Sequence, residues 1–359
     1  SRVRTFSIGL REQGFNEAGF ARQVAEHLNT EHTEFYVTAE EARGVIPQLP
    51  FLYDEPFADA SQIPTFLVSR LTKQHVTVSL SGDGGDELFG GYNRYFIAPA
   101  IWEKIKWMPI QFRRVIAKVL NNPTPRQWDM FSRIFSSLLR RYGTQGTFSD
   151  KFNKVAQVLE MLGPDALYLR LVSIFDNPNE ILIEGKEPMT TVTNSSLWPR
   201  LNDFARRMMY LDLVSYLPDD ILTKVDRATM GVSLEARTPF LDYRVVEFAC
   251  ALPKEMLLSN GKGKLLLRKL LQKYLPNKLI ERPKMGFGIP IDAWLRGPLR
   301  EWAGDLLSEH KLRKDGFFKA KPILNKFSEH ISGRQNWQYC LWNILMFQAW
   351  NESWGKNSV

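Results

Sequence analysis

The stretch Val76-Thr77-Val78-Ser79-Leu80-Ser81-Gly82-Asp83-Gly84-Gly85-Asp86-Glu87-Leu88-Phe89-Gly90-Gly91-Tyr92 decides how the rest of the chain is read. Branched apolar residues alternate at its start (Val76, Val78, Leu80), the period of a buried strand. Glycine and acid then interleave through Gly82-Asp83-Gly84-Gly85-Asp86-Glu87. Glycines there permit positive φ and close approach of backbone to a ligand. Exposed N–H groups of such a turn can hold phosphate oxygens, which the carboxylates repel unless a divalent cation such as Mg2+ bridges the two. A solvated strand-to-helix turn accounts for the same residues, and only the surrounding sequence separates these readings.

Upstream, strands and helices alternate. Val3 to Leu10 reads as a strand, Asn16 caps a helix to about Leu28, and His32 to Thr38 reads as a second strand. A helix over Ala39–Ile46 is ended by Pro47, and Tyr53 to Gln62 is an acidic, proline-broken loop. A helix from about Pro64 to Gln74 leads into the strand Val76–Leu80. Strands alternating with helices of this length indicate an α/β fold with a parallel sheet and crossover helices. In open parallel sheets ligands bind beyond the carboxyl ends of the strands, which here are Phe6-Ser7-Ile8-Gly9 and Leu80-Ser81-Gly82-Asp83. As neighbours they form two walls of one pocket, Ile8 against a base and Ser81 and Gly82 near ribose or phosphate.

From Trp102 onward the periodic segments are nearly all helical. Pro123 and Pro125 mark a break, and Asp176–Asn179 and Glu184–Trp198 read as surface loops. A helix begins at Tyr216-Leu217-Pro218-Asp219-Asp220 and runs towards Met230, with Asp219 or Asp220 as its cap. Asp220 has Lys224 at i, i+4. Near the C-terminus Trp337, Leu341 and Leu345, with Trp342, Met346 and Trp350, form two helical rows that read as core packing.

With 359 residues, of which 44% are hydrophobic and 24% charged, the chain can bury a sizeable core. Cys250 and Cys340 sit in apolar helical patterns and read as buried thiols of a reducing, cytoplasmic compartment. The five histidines have no metal-ligand spacing, and no apolar run is long enough to span a bilayer. The net charge of +8 is spread along helices without aromatic interleaving. It suits a polyanionic small substrate such as ATP at least as well as nucleic acid. The first residue is Ser1 and a strand follows almost at once, so a fragment of a longer protein is expected.

Taken together, these segments resemble the synthetase domain of glutamine-dependent asparagine synthetases. Ser81-Gly82-Asp83-Gly84-Gly85-Asp86-Glu87, followed by Phe89-Gly90-Gly91-Tyr92, is similar to that family's second nucleotide-site motif, and Phe6-Ser7-Ile8-Gly9 to its adenine-side strand. Ser233-Leu234-Glu235-Ala236-Arg237-Thr238-Pro239-Phe240-Leu241-Asp242 resembles its Glu-x-Arg-x-Pro-Phe-Leu-Asp signature. Gly261-Lys262-Gly263-Lys264, continuing through Leu267-Arg268, resembles its catalytic lysine helix, and Arg282–Phe287 a segment of bacterial members. The family's pyrophosphate loop, Ser-Gly-Gly-x-Asp-Ser, and its glutaminase domain do not occur in this sequence. Asp83 stands where the best-known members carry glutamate.

The resemblance implies a Rossmann-like core of the adenine nucleotide alpha-hydrolase type, followed by a mostly helical C-terminal region. One N-terminally truncated domain then spans 1–359, with a nucleotide-binding part at 1–100 and a helical part at 101–359 completing the site. It implies that ATP activates a carboxylate, aspartate first among them, as an acyl-adenylate. Ammonia from a glutaminase domain normally in the same chain then forms the amide. It assigns catalytic roles to Asp83 and Lys264, nucleotide contacts to Ile8, Ser81 and Gly82, and an Mg2+ ligand to Asp86. No nucleic acid or membrane partner is expected, and a homodimer is left open. A cyclising ligase of the β-lactam synthetase type, a sugar-acid acceptor and a non-catalytic scaffold module stay open as alternatives. Duller readings also stand: Lys264 as a solvated helix-face lysine, Asp86 and Glu87 as helix-dipole partners, Glu235 and Arg237 as a structural ion pair. Asp59, Ser61 and Gln62 occupy a loop that can face the acceptor.

Overall fold

Alternating Thr, Phe and Ile near the N-terminus form the first strand of the computed structural model, which describes residues 2–10, 18–121, 155–259, 261–281 and 288–355. β1 (Arg4–Leu10) pairs in parallel with β2 (Glu31–Val37), Thr5 opposite His32 and Ile8 opposite Phe35. The two-residue period separates the chemistry of the faces. On one, the Thr5 and Ser7 hydroxyls meet the ring nitrogens of His32 at 2.9 and 3.1 Å. On the other, Phe6 stacks on Phe35 with ring centroids 6.3 Å apart. The crossover helix Ala18–His27 buries Ala18 and Ala25; its expected cap, Asn16, lies outside the described residues.

After β2, Thr38 and Glu41 form a reciprocal capping box on the helix Ala39–Arg43. That helix stops three residues short of the expected Ile46. Pro47, lacking an N–H, sits instead at the start of a 3-10 turn, Ile46–Gln48. The helix Gln62–Lys73 buries Ile63, Phe66 and Leu67 and packs against the helix Thr223–Met230. β3 (Val78–Leu80) then pairs in parallel with β4 (Glu235–Arg237), so the described strands form two small parallel sheets within a mostly helical α/β chain.

Three further sequence readings change. The alternation that suggested a buried β3 leaves Val78 41% and Leu80 73% exposed, because among the described residues β3 pairs with β4 alone and that face is uncovered. Neither Asp219 nor Asp220 caps a helix. Tyr216 is already helical, and a π-helical turn, Leu217–Leu222, runs straight into Thr223–Met230. Cys250 is exposed, whereas Cys340 is buried and burial pushes its thiol up to about 11.

The chain falls into two compact units. One comprises Ser1–Asn93, Arg206–Ile291 and Trp342–Val359, and holds both sheets. Within it Trp342, Leu345 and Met346 are buried, as their helical rows predicted, and the Trp350 and Trp354 indoles donate to the Asp54 and Pro50 carbonyls at 2.6 and 2.9 Å. The other unit comprises Arg94–Ala205 and Asp292–Leu341. It carries a small core of Ile105, Ala117, Leu120, Ala156 and Leu159. Beside that core the buried Arg113 guanidinium is satisfied by the Met108 and Met161 carbonyls at 3.1 and 2.8 Å. Arg282–Phe287 lies outside the described residues. Among the described residues no helix is long and apolar enough to cross a membrane.

Candidate active site

Every side chain of the candidate site belongs to the unit that holds the two sheets. At the carboxyl end of β3 the Ser81 N–H donates to the Arg237 carbonyl of β4 at 2.9 Å, which extends the parallel pairing one step. The Ser81 hydroxyl then donates to Asp83 Oδ2 at 2.7 Å, so the serine holds the carboxylate as it leaves the strand. Gly82 between them is exposed, with open space around its Cα. Gly84 takes φ 83°, a left-handed conformation that costs glycine nothing, and turns the chain into the helix Gly85–Phe89.

The signature segment after β4 backs this turn. Leu241 packs under Gly84, the Phe240 ring lies under Gly85, and Phe240 meets Phe89 edge to face at 5.7 Å. Glu235 and Arg237 form the expected ion pair at 2.7 Å on an exposed strand face. This segment supports the turn through apolar packing.

The lysine arrives from the other side. Lys264 adopts φ 56° and ψ 34°, the left-handed region that a residue with a Cβ enters at a cost of about 1–2 kcal/mol. Its N–H donates to the Phe89 carbonyl at 2.9 Å, and Arg268 Nε donates to the Gly263 carbonyl at 3.0 Å. The two backbones touch at this crossing: a methyl on Gly263 would lie 3.0 Å from the Gly90 carbonyl carbon and closer still to its oxygen. Strain held by such neighbours is a mark of functional positions. The result is an ion pair, Lys264 Nζ to Asp86 Oδ2 at 3.1 Å, with the side chains 34% and 25% exposed. Lys262 pairs instead with Glu281 at 3.0 Å. Lys264 and Lys262 thus take different acidic partners.

Asp86 sits in the first turn of its helix, and the ion pair with Lys264 is among its contacts. Among the described residues no group of three or more His, Cys, Asp or Glu side chains is placed to hold a metal ion. One accessible carboxylate is nevertheless compatible with Mg2+, which typically takes one or two protein carboxylates and fills its shell with phosphate oxygens and water. Ile8 lies in the other sheet, 8% exposed, and no described contact joins it to Ser81, Asp83, Asp86 or Lys264.

Two constellations escaped the sequence reading. Glu87, next to Asp86, is only 2% exposed and accepts the Tyr92 hydroxyl at 2.6 Å. Burial raises the proton affinity of both groups. Tyr92 in turn meets Tyr216 edge to face at 5.9 Å. The second constellation is centred on Asp59, whose oxygens accept from Lys224 Nζ at 2.6 Å, Ser61 N–H at 2.9 Å and Ser61 Oγ at 2.8 Å. Burial opposes the charge on Asp59, but the Lys224 ammonium and the Ser61 hydrogen bonds together outweigh it and hold the carboxyl below its usual range. Asp220, hydrogen-bonded to Asp59, is pushed up to about 7 by burial and by that negative neighbour. Lys224 thus takes Asp59 as its close partner, not the Asp220 at i, i+4. The i, i+4 spacing and the acidic loop holding Asp59 and Ser61 were both visible in sequence; that the loop brings Asp59 to Lys224 was not.

The chain matches the Asparagine synthase family over residues 1–352. It is 31% identical to asparagine synthetase [glutamine-hydrolyzing] 1 of Bacillus subtilis, over 97% of this chain and 52% of that protein. A Mycobacterium bovis relative is 32% identical over 100% of this chain and 52% of its own length. Asparagine synthetase [glutamine-hydrolyzing] 3 of Bacillus subtilis is 24% identical over 79% of this chain and 39% of its own. The chain spans about half the length of the first two relatives.

Proposed function

The chain belongs to the asparagine synthase family, and from that premise we propose that it forms the synthetase part of an ATP-dependent, amide-forming ligase. The carboxylate acceptor, with aspartate the first candidate, attacks the α-phosphorus of ATP through one oxygen. Pyrophosphate leaves with the bonding electrons. Ammonia derived from glutamine then attacks the acyl carbon of the adenylate, sheds a proton, and AMP departs. The core that binds the nucleotide is on this reading Rossmann-like, with Ile8 towards the base and Ser81 and Gly82 towards ribose or phosphate.

The observation that carries the reading is the meeting of Asp86 and Lys264 from distant parts of the chain. Both steps build negative charge on phosphate oxygens and leaving groups, and a fixed cation in the right place stabilises it. Lys264 supplies that cation as a point charge, needing no bidentate geometry. Asp86 would hold Mg2+, which when bound offsets phosphate charge. Asp83, which accepts the Ser81 hydroxyl, would on this reading orient the attacking amine or the metal.

ATP–pyrophosphate exchange by the full-length protein, with aspartate and a panel of other carboxylates, tests the proposal. Exchange dependent on one carboxylate is expected. A best substrate other than aspartate whose own amine closes a ring without added ammonia would favour the cyclising alternative, a uronic acid the sugar-acid one. No exchange with any carboxylate would sink adenylation altogether. In the same assay Asp86→Asn should raise the Mg2+ concentration needed for half-maximal exchange by about 10–100-fold, the range for losing support of a bound metal. An unchanged metal requirement would remove Asp86 from that role.

A further inference from the structure

Asp86 and Lys264 do not meet in open solvent; they close over the bare Cα of Gly91. A methyl group built there would lie 2.7 Å from Asp86 Cγ and would overlap Asp86 Oδ1 and Lys264 Cε. The three nearest obstacles are all side-chain atoms of the ion pair. Gly91 is also absent from the glycines with positive φ, so alanine can adopt its backbone angles. Its N–H is fixed on the Asp86 carbonyl at 2.8 Å, which ties its position to the start of the Gly85–Phe89 helix. Gly263 is the contrasting case, since a methyl there runs into the Gly90 backbone. One glycine lets two main chains cross; the other leaves room only for two functional side chains.

We propose that Gly91 is a positioning residue, the floor that sets the separation and direction of Asp86 and Lys264. The proposal rests on the roles given above to those two groups, but the geometry it invokes is measurable without turnover. Gly91→Ala pushes the Asp86 carboxylate and the Lys264 stem aside and leaves the surrounding backbone in place. The ammonium then loses its partner, and the carboxylate no longer faces the side from which Lys264 approaches. Displacements of about 1 Å at reacting groups cost about 10²-fold in rate. Turnover of the exchange reaction is expected to fall by that factor, with a smaller change in the KM for the acceptor.

The test has an arm that needs no nucleotide. Lys264 in the ligand-free, full-length protein is acetylated with acetic anhydride in competition with Lys262, and the two sites are quantified by peptide mass spectrometry. Lys264 should react several-fold faster in Gly91→Ala than in the wild type, approaching the rate in Asp86→Asn, while Lys262 keeps its rate. Equal Lys264 reactivity in wild type and Gly91→Ala overturns the proposal, whatever the protein turns out to catalyse. If the substitution lowers the unfolding midpoint, adding Asp86→Ala and Lys264→Ala vacates the space and should restore it. An unrescued loss places the role of Gly91 in the backbone and also overturns the proposal. Absence of exchange in the wild type, with the acetylation pattern as expected, refutes the ligase reading and leaves the positioning of the pair intact.

Discussion

Lys264→Met is expected to lower the turnover of carboxylate-dependent ATP–pyrophosphate exchange by about 10²–10³-fold, the usual cost of deleting one group aimed at developing charge. The unfolding midpoint should hardly move. The Lys264 side chain is a third exposed, and accessible ion pairs of this kind contribute little to stability. Methionine keeps most of the aliphatic stem, and the backbone bond from residue 264 to the Phe89 carbonyl does not depend on the side chain. The strained left-handed backbone at this position has no stability rationale that the ammonium supplies. Its effect is to start the helix Leu265–Leu271 one residue past the crossing, with the lysine directed at Asp86. Steady-state exchange kinetics and thermal unfolding on the same preparations separate the two outcomes. A variant that keeps its turnover would return Lys264 to the duller reading of a solvated lysine.

What the sequence made legible follows from how local each signal is. β1, β2 and their crossover helix are written in adjacent residues, and their bounds fall within a residue or two of the alternation. β4 was missed because Glu235-Ala236-Arg237 has no apolar face; it is a strand by virtue of its partner, β3, far upstream. Cys250 misled for a related reason. Its neighbours are apolar, but the helix Tyr243–Ala251 turns Cys250 and Phe248 outward, and a run of apolar letters does not say which side of a helix is covered. In the site, Ser81 and Asp83 are two residues apart and their contact is nearly forced. Asp86 and Lys264 come from separate segments, and no periodicity could have paired them; only the order of the motifs suggested it. The Asp59–Lys224 pair lay beyond both kinds of signal. Its acid sits in a loop with no regular pattern, and Asp220 offered the lysine an equally plausible partner at helical spacing.

That buried pair yields the largest stability effect expected in the molecule. Lys224 is 8% exposed and its ammonium is the cation that allows Asp59 to stay charged beside Asp220. Lys224→Met should lower the unfolding free energy by about 3–5 kcal/mol, because removing one partner of a buried pair leaves an uncompensated buried charge. The loss should also depend on pH in a stated direction. Asp220, pushed up to about 7, favours the folded state fully only below its unfolded value, and that advantage disappears as pH rises through about 7. Asp59 works in the opposite sense: held low by Lys224, it contributes stability above its unfolded value and loses it as pH falls. Deleting the ammonium removes the main influence that offsets burial at Asp59 and leaves only the Ser61 hydrogen bonds against it, so both carboxyls are then pushed towards protonation in the folded state. The variant should therefore be most damaged near pH 8, where two buried carboxylates face each other, and least damaged near pH 5.5, where protons occupy them. Urea unfolding of wild type and Lys224→Met at those two pH values measures the difference directly. An equal penalty at both, or a penalty below about 1 kcal/mol, the scale of an exposed pair, would mean that Lys224 is a surface residue and that Asp59 and Asp220 do not share a buried site.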